Sequence, residues 1–270
     1  MRKFISTAIV IAIAGSSIFM ACKKENNENK EPVLPPTESM VMDFSNFQSS
    51  TIKSLATDDT SAYNNWTSSA VTVGIWNVVA YLNSAVPVAA FKESFNHPSV
   101  LVENSIWRRS FSISSLGATY TCKLDGEANG NSSDWKMYLS KTNGLGANFT
   151  DFLWFTGTSS NNGSTATWHI NRGPEFSGRK YFDANWVKNT SLRYTIVDTN
   201  EVGVGNYLEY KKINEAGLDA QFLIQTVDHS YDIDIQWNTT DKNGRVKCTN
   251  WYNDLNWHCW GINYKNSICN

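Results

Sequence analysis

The cysteine at position 22 stands where its thiol could be acylated. It follows a charged start at residues 1–3 and an apolar run, rich in small residues, that ends at Ala21. This arrangement is typical of a bacterial lipoprotein leader, which is cleaved before the cysteine while the thiol takes a diacylglycerol. Serine, threonine and glycine interrupt the run, so it matches a membrane-spanning helix of about 20 apolar residues less well. We therefore expect residues 1–21 to be a signal peptide and Cys22 to carry the lipid.

Acyl chains on Cys22 would anchor the protein in a membrane, with about 0.8 kcal/mol for each buried CH₂. Phe19 and Met20 depart from the residues that usually precede such a cysteine, so an ordinary signal peptide is the alternative. We expect an outer-membrane lipoprotein that faces either the periplasm or the cell surface.

Four further cysteines, Cys122, Cys248, Cys259 and Cys269, could form disulfides in an oxidising compartment. Pairing Cys259 with Cys269 would hold a C-terminal tail. That would leave Cys122 and Cys248 to close a long loop, a bond worth about 4 kcal/mol. The alternative pairs Cys248 with Cys259 and leaves two free thiols. Because no CxxC pair is present, the spacing disfavours zinc, and we expect no metal.

An acidic group, Asp228, Asp232 and Asp234, could also do chemistry. Strand alternation would put Asp232 and Asp234 on one face, where they could begin a calcium site or serve a glycosidase. Arg245 and Lys247 alternate in the same way on the next strand, so cross-strand ion pairs explain the pattern without a site. No G-x-S-x-G, HExxH or P-loop motif is present, and we assign no catalytic residue and no cofactor.

Aromatic residues are abundant, with eleven tryptophans. Most of them fit the needs of a thin core, because an aromatic ring buries a large apolar area. One C-terminal cluster lies in a turn-rich, cysteine-bearing stretch and could be a ligand surface or a cap on the sheet edge. Its members are Trp251, Tyr252, Trp257 and Trp260.

Composition and charge set the domain organisation and exclude one class of partner. The formal net charge of −2 gives no basic excess to bind the phosphates of nucleic acids. Residues 22–40 are polar, mixed in charge and proline-bearing, which predicts a disordered tether. We expect residues 41–270 to form a single domain, and the sequence does not indicate its oligomeric state.

A helical period follows the tether. Apolar residues recur at spacings of four, three, four and four, which predicts an amphipathic helix over residues 68–84 that packs this face on the core. Pro87 would end it and open a shorter helix up to Asn96. The residues of the predicted face are Val71, Ile75, Val78, Leu82 and Val86.

From about residue 100 the period changes to two, as in Tyr231, Ile233, Ile235 and Trp237. Turn clusters rich in Asn and Gly separate such segments, so short connections must join antiparallel neighbours. The pattern predicts a mainly β (α+β) fold. We expect a curved antiparallel meander or half-barrel of roughly ten strands, packed on the N-terminal amphipathic helix. A two-sheet sandwich is the alternative.

Several short segments resemble a group of Bacteroidota lipoproteins with no assigned activity. They are residues 40–44 (MVMDF), 152–158 (FLWFTGT), 244–247 (GRVK) and 257–260 (WHCW), followed by Cys269. The resemblance implies the same cellular address and a single domain. It also implies that Cys259 and Cys269 are partners and that Cys248 is atypical, which bears on the second disulfide.

Three functions fit these observations. The first is non-enzymatic binding of an apolar ligand in a cavity between sheet and helix, by analogy with lipid-carrying half-barrels. The second is recognition of a cell-surface glycan by exposed aromatic rings. The third is a hydrolase that acts through carboxylates such as Asp232 and Asp234, which would need its two carboxyl groups either about 5 Å or about 6.5–9.5 Å apart in a cleft.

Overall fold

The computed structural model describes residues 30–47 and 64–269. In these residues it has one open antiparallel sheet of fourteen strands, each paired only with its neighbours in sequence. The strands are β1 (Val100–Glu103), β2 (Ile106–Ser115), β3 (Ala118–Asn129), β4 (Ser132–Lys141), β5 (Phe149–Ser160), β6 (Thr165–Asn171), β7 (Lys180–Val187), β8 (Ser191–Ile196), β9 (Tyr207–Glu215), β10 (Leu218–Gln225), β11 (Ile233–Trp237), β12 (Gly244–Lys247), β13 (His258–Trp260) and β14 (Asn266–Ser267).

The mainly β antiparallel prediction is confirmed, but the predicted number of about ten strands was too low. Side chains alternate between a buried inner face and a solvated outer face in β3, β4 and β10, which is the period that the sequence carries. The missed strands carry little of that signal. All four residues of β1 are exposed, and β13 and β14 are only three and two residues long.

Among the described residues a long helix, α1 (Asn64–Ser94), precedes the sheet, and a short helix, α2 (Thr249–Tyr252), follows β12. The same residues include 3-10 turns at Thr37–Ser39, Ser45–Phe47 and Pro174–Phe176.

The helix α1 bends by 75° between Leu82 and Ser84, where two separate helices were predicted. Pro87 lies inside the helix, and its ring displaces the backbone carbonyl four residues earlier, at position 83. The Ser84 hydroxyl also donates to the Ala80 carbonyl at 2.6 Å, a contact that adds to the bend. In the described residues no single straight helix has the length and apolar content of a membrane span. The two halves of α1 have that length and apolar content only when they are counted together across the bend.

The predicted buried face of α1 was wrong. Val71, Ile75, Val78 and Leu82 are exposed, and of the predicted set only Val86 is buried. The opposite side is buried instead, and there the ring of Trp66 lies 4.7 Å from that of Tyr264. The first half of α1 carries apolar residues around its whole circumference, so spacing alone could not select the packed side. Its buried apolar side chains are Trp66, Ala70, Val73 and Ala80.

Residues 30–40 were expected to belong to the disordered tether, but the structure packs them on the inner face of the sheet. Met40 is fully buried. The Tyr194 hydroxyl on β8 donates to the Met40 carbonyl at 2.5 Å and accepts from the Met42 N–H at 3.1 Å. These bonds satisfy buried backbone groups that extended chain cannot pair by itself. Cys22 and the predicted signal peptide lie outside the described residues.

Candidate functional site

A cleft of about 510 Å³ lies between the bend of α1 and the ends of β3, β4 and β5. Its helix wall is apolar and consists of Leu82, Ala85, Val86 and Pro87. The bend in α1 creates this wall, because a straight helix would carry the residues after Ser84 away from those before it. The volume falls within the range of small-ligand sites, which is about 300–1,000 Å³.

The sheet wall of the cleft is aromatic. The ring of Trp154 lies 5.8 Å from that of Phe149 and 6.2 Å from that of Tyr120, both in edge-to-face contact. Two irregularities in the β4–β5 register place these rings together. They interrupt the alternation, so the adjacent Trp154 and Phe155 are both buried. The β5 segment therefore places a row of rings on the cleft side.

Two cations line the cleft, and they differ in how they are paired. Arg172 pairs with Glu201 at 2.6 Å, and its guanidinium lies over the rings of Phe176 and Tyr181 at 4.8 and 4.3 Å. Lys141 is 7% exposed, and its ammonium donates to the Leu145 carbonyl.

In the described part of the chain, Lys141 has no ion pair. An ammonium has three donors, and a buried one is costly unless it is paired. The Lys141 ammonium therefore has the Leu145 carbonyl as its described acceptor and keeps donors for a group bound in the cleft.

The phenol of Tyr120 also lines the cleft. Burial raises its pKa, and the nearby charge of Glu175 raises it further. Tyr120 therefore stays protonated at neutral pH and can act as a hydrogen-bond donor. Two other hollows, of about 660 and 720 Å³, flank residues 30–47, but no charged side chain among their walls is buried as deeply as Lys141.

The structure does not place the four C-terminal aromatic residues on one surface. Trp260 is buried and donates to the Lys242 carbonyl at 2.8 Å. The Tyr252 ring stacks on His258 at 3.5 Å. Trp257 lies instead under the Arg245 guanidinium, at 4.2 Å.

Trp251 is the remaining member of that cluster. It lies 6.2 Å from Tyr252 and donates to the Tyr231 hydroxyl at 2.5 Å. Trp251 and Tyr252 contact each other edge to face, but Trp257 and Trp260 have other partners, so the four rings do not form one flat aromatic row for a glycan.

The pairing of Cys259 with Cys269 is confirmed, with Cα atoms 5.2 Å apart. The pairing of Cys122 with Cys248 was wrong, since both are free and buried. Cys122 lies within β3 and Cys248 follows β12, which stand nine places apart in an open sheet. Burial raises the pKa of Cys122 to about 12.

The three acidic residues hydrogen-bond to separate partners. Asp232 accepts from His229 at 2.8 Å, and Asp234 accepts from Gln221 at 2.7 Å. Arg245 pairs with Glu215 at 2.5 Å, not with an aspartate. No group of three or more His, Cys, Asp or Glu side chains in the described ranges could hold a metal ion.

No sequence pattern indicated the residues of the cleft as a group. Lys141 ends a strand and reads as an ordinary solvated lysine. The one usable signal was the stretch from Phe149 to Phe155, whose apolar residues do not alternate.

The chain matches no protein-family model, no curated protein and no solved structure.

Proposed function

We propose that this is a lipid-anchored cell-envelope protein that binds an amphipathic ligand without catalysis, in the cleft between α1 and β3–β5. The observation that carries the proposal is the combination of aromatic and aliphatic walls with one deeply buried ammonium, that of Lys141. An apolar body would pack on the walls, and an anionic or strongly accepting head group would pair with Lys141.

The fold supports the proposal because elements far apart in sequence would have to hold the cleft in shape. Near the start of α1, Trp66 packs on Tyr264, between β13 and β14. Near its end, Phe91 packs on Trp168 of β6 at 5.0 Å. We propose that the sheet curves around α1 as a half-barrel, so that the two contacts fix both halves of the bent helix.

The address is part of the proposal. Lipid on Cys22 would anchor the chain at the outer membrane, facing the periplasm or the cell surface, as in the Bacteroidota lipoproteins that short segments of this chain resemble. An anchored binding protein close to a bilayer has ready access to amphipathic molecules.

The ligand is tested by native mass spectrometry. A version that starts at Lys23 retains every described residue and avoids the detergent that acyl chains require. Purified from cells, it should carry a small adduct that organic solvent removes. Lys141→Met keeps the apolar stem but removes the charge, so it should lose most of the adduct. Lys136→Met, on the outer face of the same strand, is the control and should keep it. A parent protein free of any adduct, and unable to bind fatty acids added to it, would contradict the proposal.

A further inference from the structure

The two rims of the sheet differ in their exposed side chains. Six connections lie on one side and form the long-loop rim: residues 116–117, 142–148, 172–179, 197–206, 226–232 and 248–257. Each of them exposes a large apolar side chain: Leu116, Leu145, Phe176, Val202, Val227 and Leu255.

The opposite side, the short-loop rim, consists of seven connections: residues 104–105, 130–131, 161–164, 188–190, 216–217, 238–243 and 261–265. In these loops Ile262 is the one large apolar side chain that is exposed. Hydrophobic residues scattered singly over a surface need no explanation, but one on every loop of a single rim does.

We propose that the long-loop rim docks on the surface of a zwitterionic lipid bilayer. The apolar tips lie on separate loops and are flanked by glycine and polar residues, as in 143–146 (Asn-Gly-Leu-Gly). Leu145 is 95% exposed. Isolated tips of this kind can enter the boundary between head groups and acyl chains one at a time, whereas a second protein copy would need a contiguous apolar patch.

Charge selects the type of bilayer. The loops of this rim hold two guanidinium groups, those of Arg172 and Arg179. They hold six carboxylates: Glu175, Asp198, Glu201, Asp228, Asp232 and Asp254. Such a rim would be repelled by anionic lipids and tolerated by zwitterionic head groups.

The length of chain before the described residues permits this docking. Glu31 pairs with Arg109 of β2 at 3.3 Å, six residues from Ser115 at the long-loop end. Six strand residues span about 20 Å. The nine residues from Cys22 to Lys30 can span at most about 32 Å. A bilayer that holds acyl chains on Cys22 is thus within reach of the rim.

This inference rests on the proposed tether, and it adds a route for the ligand. Leu116, Leu145 and Phe176 also line the cleft. A rim seated on the bilayer would open the cleft toward the lipid, so an amphipathic ligand could enter without crossing water.

Quenching by lipids with brominated acyl chains tests the docking. The full acylated protein is reconstituted in phosphatidylcholine vesicles with and without bromine, as the parent and with Leu145→Trp or Ile262→Trp. The added tryptophan of Leu145→Trp should lose its emission to bromine beyond the loss seen in the parent. That of Ile262→Trp, on the short-loop rim, should not. Replacing part of the lipid with phosphatidylglycerol should reduce the extra quenching.

Other results would overturn the inference. One is an equal loss of tryptophan emission in both variants and the parent. Another is quenching that does not change when anionic lipid is added. A third is a blue-shifted emission of Leu145→Trp in a dimer without vesicles, which would indicate that a second copy covers the rim. The tether is tested separately by incorporation of labelled palmitate. Acylated protein without extra quenching at position 145 contradicts the docking alone, whereas failed acylation contradicts the tether alone.

Discussion

The indole ring of Trp168 lies over Gly157 on the neighbouring strand, where a methyl group on Gly157 would come 2.1 Å from Cε3 of the ring. Both residues face the core, and Trp168 is fully buried. The absent side chain on β5 is what lets the large ring of β6 lie flat against the sheet. Gly126 with Trp135 and Gly244 with Trp260 are pairs of the same kind.

Gly157→Ala should therefore destabilise the protein by about 1–3 kcal/mol, because the methyl group forces Trp168 out of its position. Urea unfolding at equilibrium measures the change. Gly74→Ala is the matched control, since no atom lies within 4 Å of a methyl group there. In mid-helix it should stabilise by about 0.5–1 kcal/mol. Equal effects of the two substitutions would contradict the packing described.

Tyr194→Phe should detach residues 39–44 from the sheet. The lost hydroxyl leaves the Met40 carbonyl and the Met42 N–H unpaired in the core, which costs about 1–3 kcal/mol. Hydrogen exchange should report faster exchange at residues 39–44 than at β8. Tyr138→Phe is the control, because no described hydrogen bond involves that hydroxyl, and it should change neither stability nor exchange. Unchanged protection in Tyr194→Phe would show that other contacts hold the segment.

Asp234→Asn should change stability in a pH-dependent way. Burial raises the pKa of Asp234, although hydrogen bonding from Gln221 partly opposes this. Because the folded protein binds this proton more tightly than the unfolded chain, Asp234 favours folding most below its unfolded pKa, near 3.9. This stabilisation is lost as the pH rises through the raised pKa of the folded protein. At pH 7 the charged form is a cost, so Asp234→Asn should be more stable than the parent there, and the gain should vanish below pH 4.

Asp228→Asn should show the opposite sign, which makes it the control for Asp234→Asn. Hydrogen bonds from Ser230 lower the pKa of Asp228, so its contribution is present at neutral pH and lost as the pH falls. Thermal unfolding of both variants between pH 3 and pH 7 measures the difference. The same sign for both would refute the assignment.

The cysteines should separate into two chemical classes. Cys122 and Cys248 are buried, and a pKa near 12 keeps the Cys122 thiol protonated, so iodoacetamide at pH 8 should label neither until the protein unfolds. Replacing Cys259 and Cys269 together with serine should cost about 2–3 kcal/mol, as expected for a loop of ten residues. Peptide mapping after alkylation identifies each thiol, and rapid labelling of native Cys122 would contradict its burial.

The sequence predicted those parts of the fold that a local period specifies. Ile233, Ile235 and Trp237 alternate in the sequence and are buried together on the inner face. It did not predict which side of α1 packs, because Val71 and Val73 are equally apolar and only the distant Tyr264 side of the sheet selects between them. The prediction of the second disulfide was wrong for a similar reason, since an even number of cysteines carries no information about the distance between them in the folded sheet.

Sequence patterns could not predict the cleft. It depends on a helix bend at Ser84, on register irregularities between β4 and β5, and on the meeting of both at Lys141. Pro87 already indicated a break in the helix, but the register irregularities and the meeting of both features at Lys141 are tertiary events that neighbouring residues do not specify. The non-alternating stretch from Phe149 to Phe155 marked the place, but it gave no indication of the buried ammonium opposite.

Filling the cleft tests the account most directly. Ala147 is exposed on the β4–β5 loop and lines the cleft, so Ala147→Trp should occupy it without disturbing the core. Thr240→Trp adds the same ring to an exposed position on the short-loop rim. With a fluorescent fatty acid as the probe and the version starting at Lys23, we expect saturable binding by the parent and by Thr240→Trp. The Kd of Ala147→Trp should be weaker by about tenfold or more, or roughly 1.4 kcal/mol. Equal affinities of Ala147→Trp and the parent would contradict the proposed site.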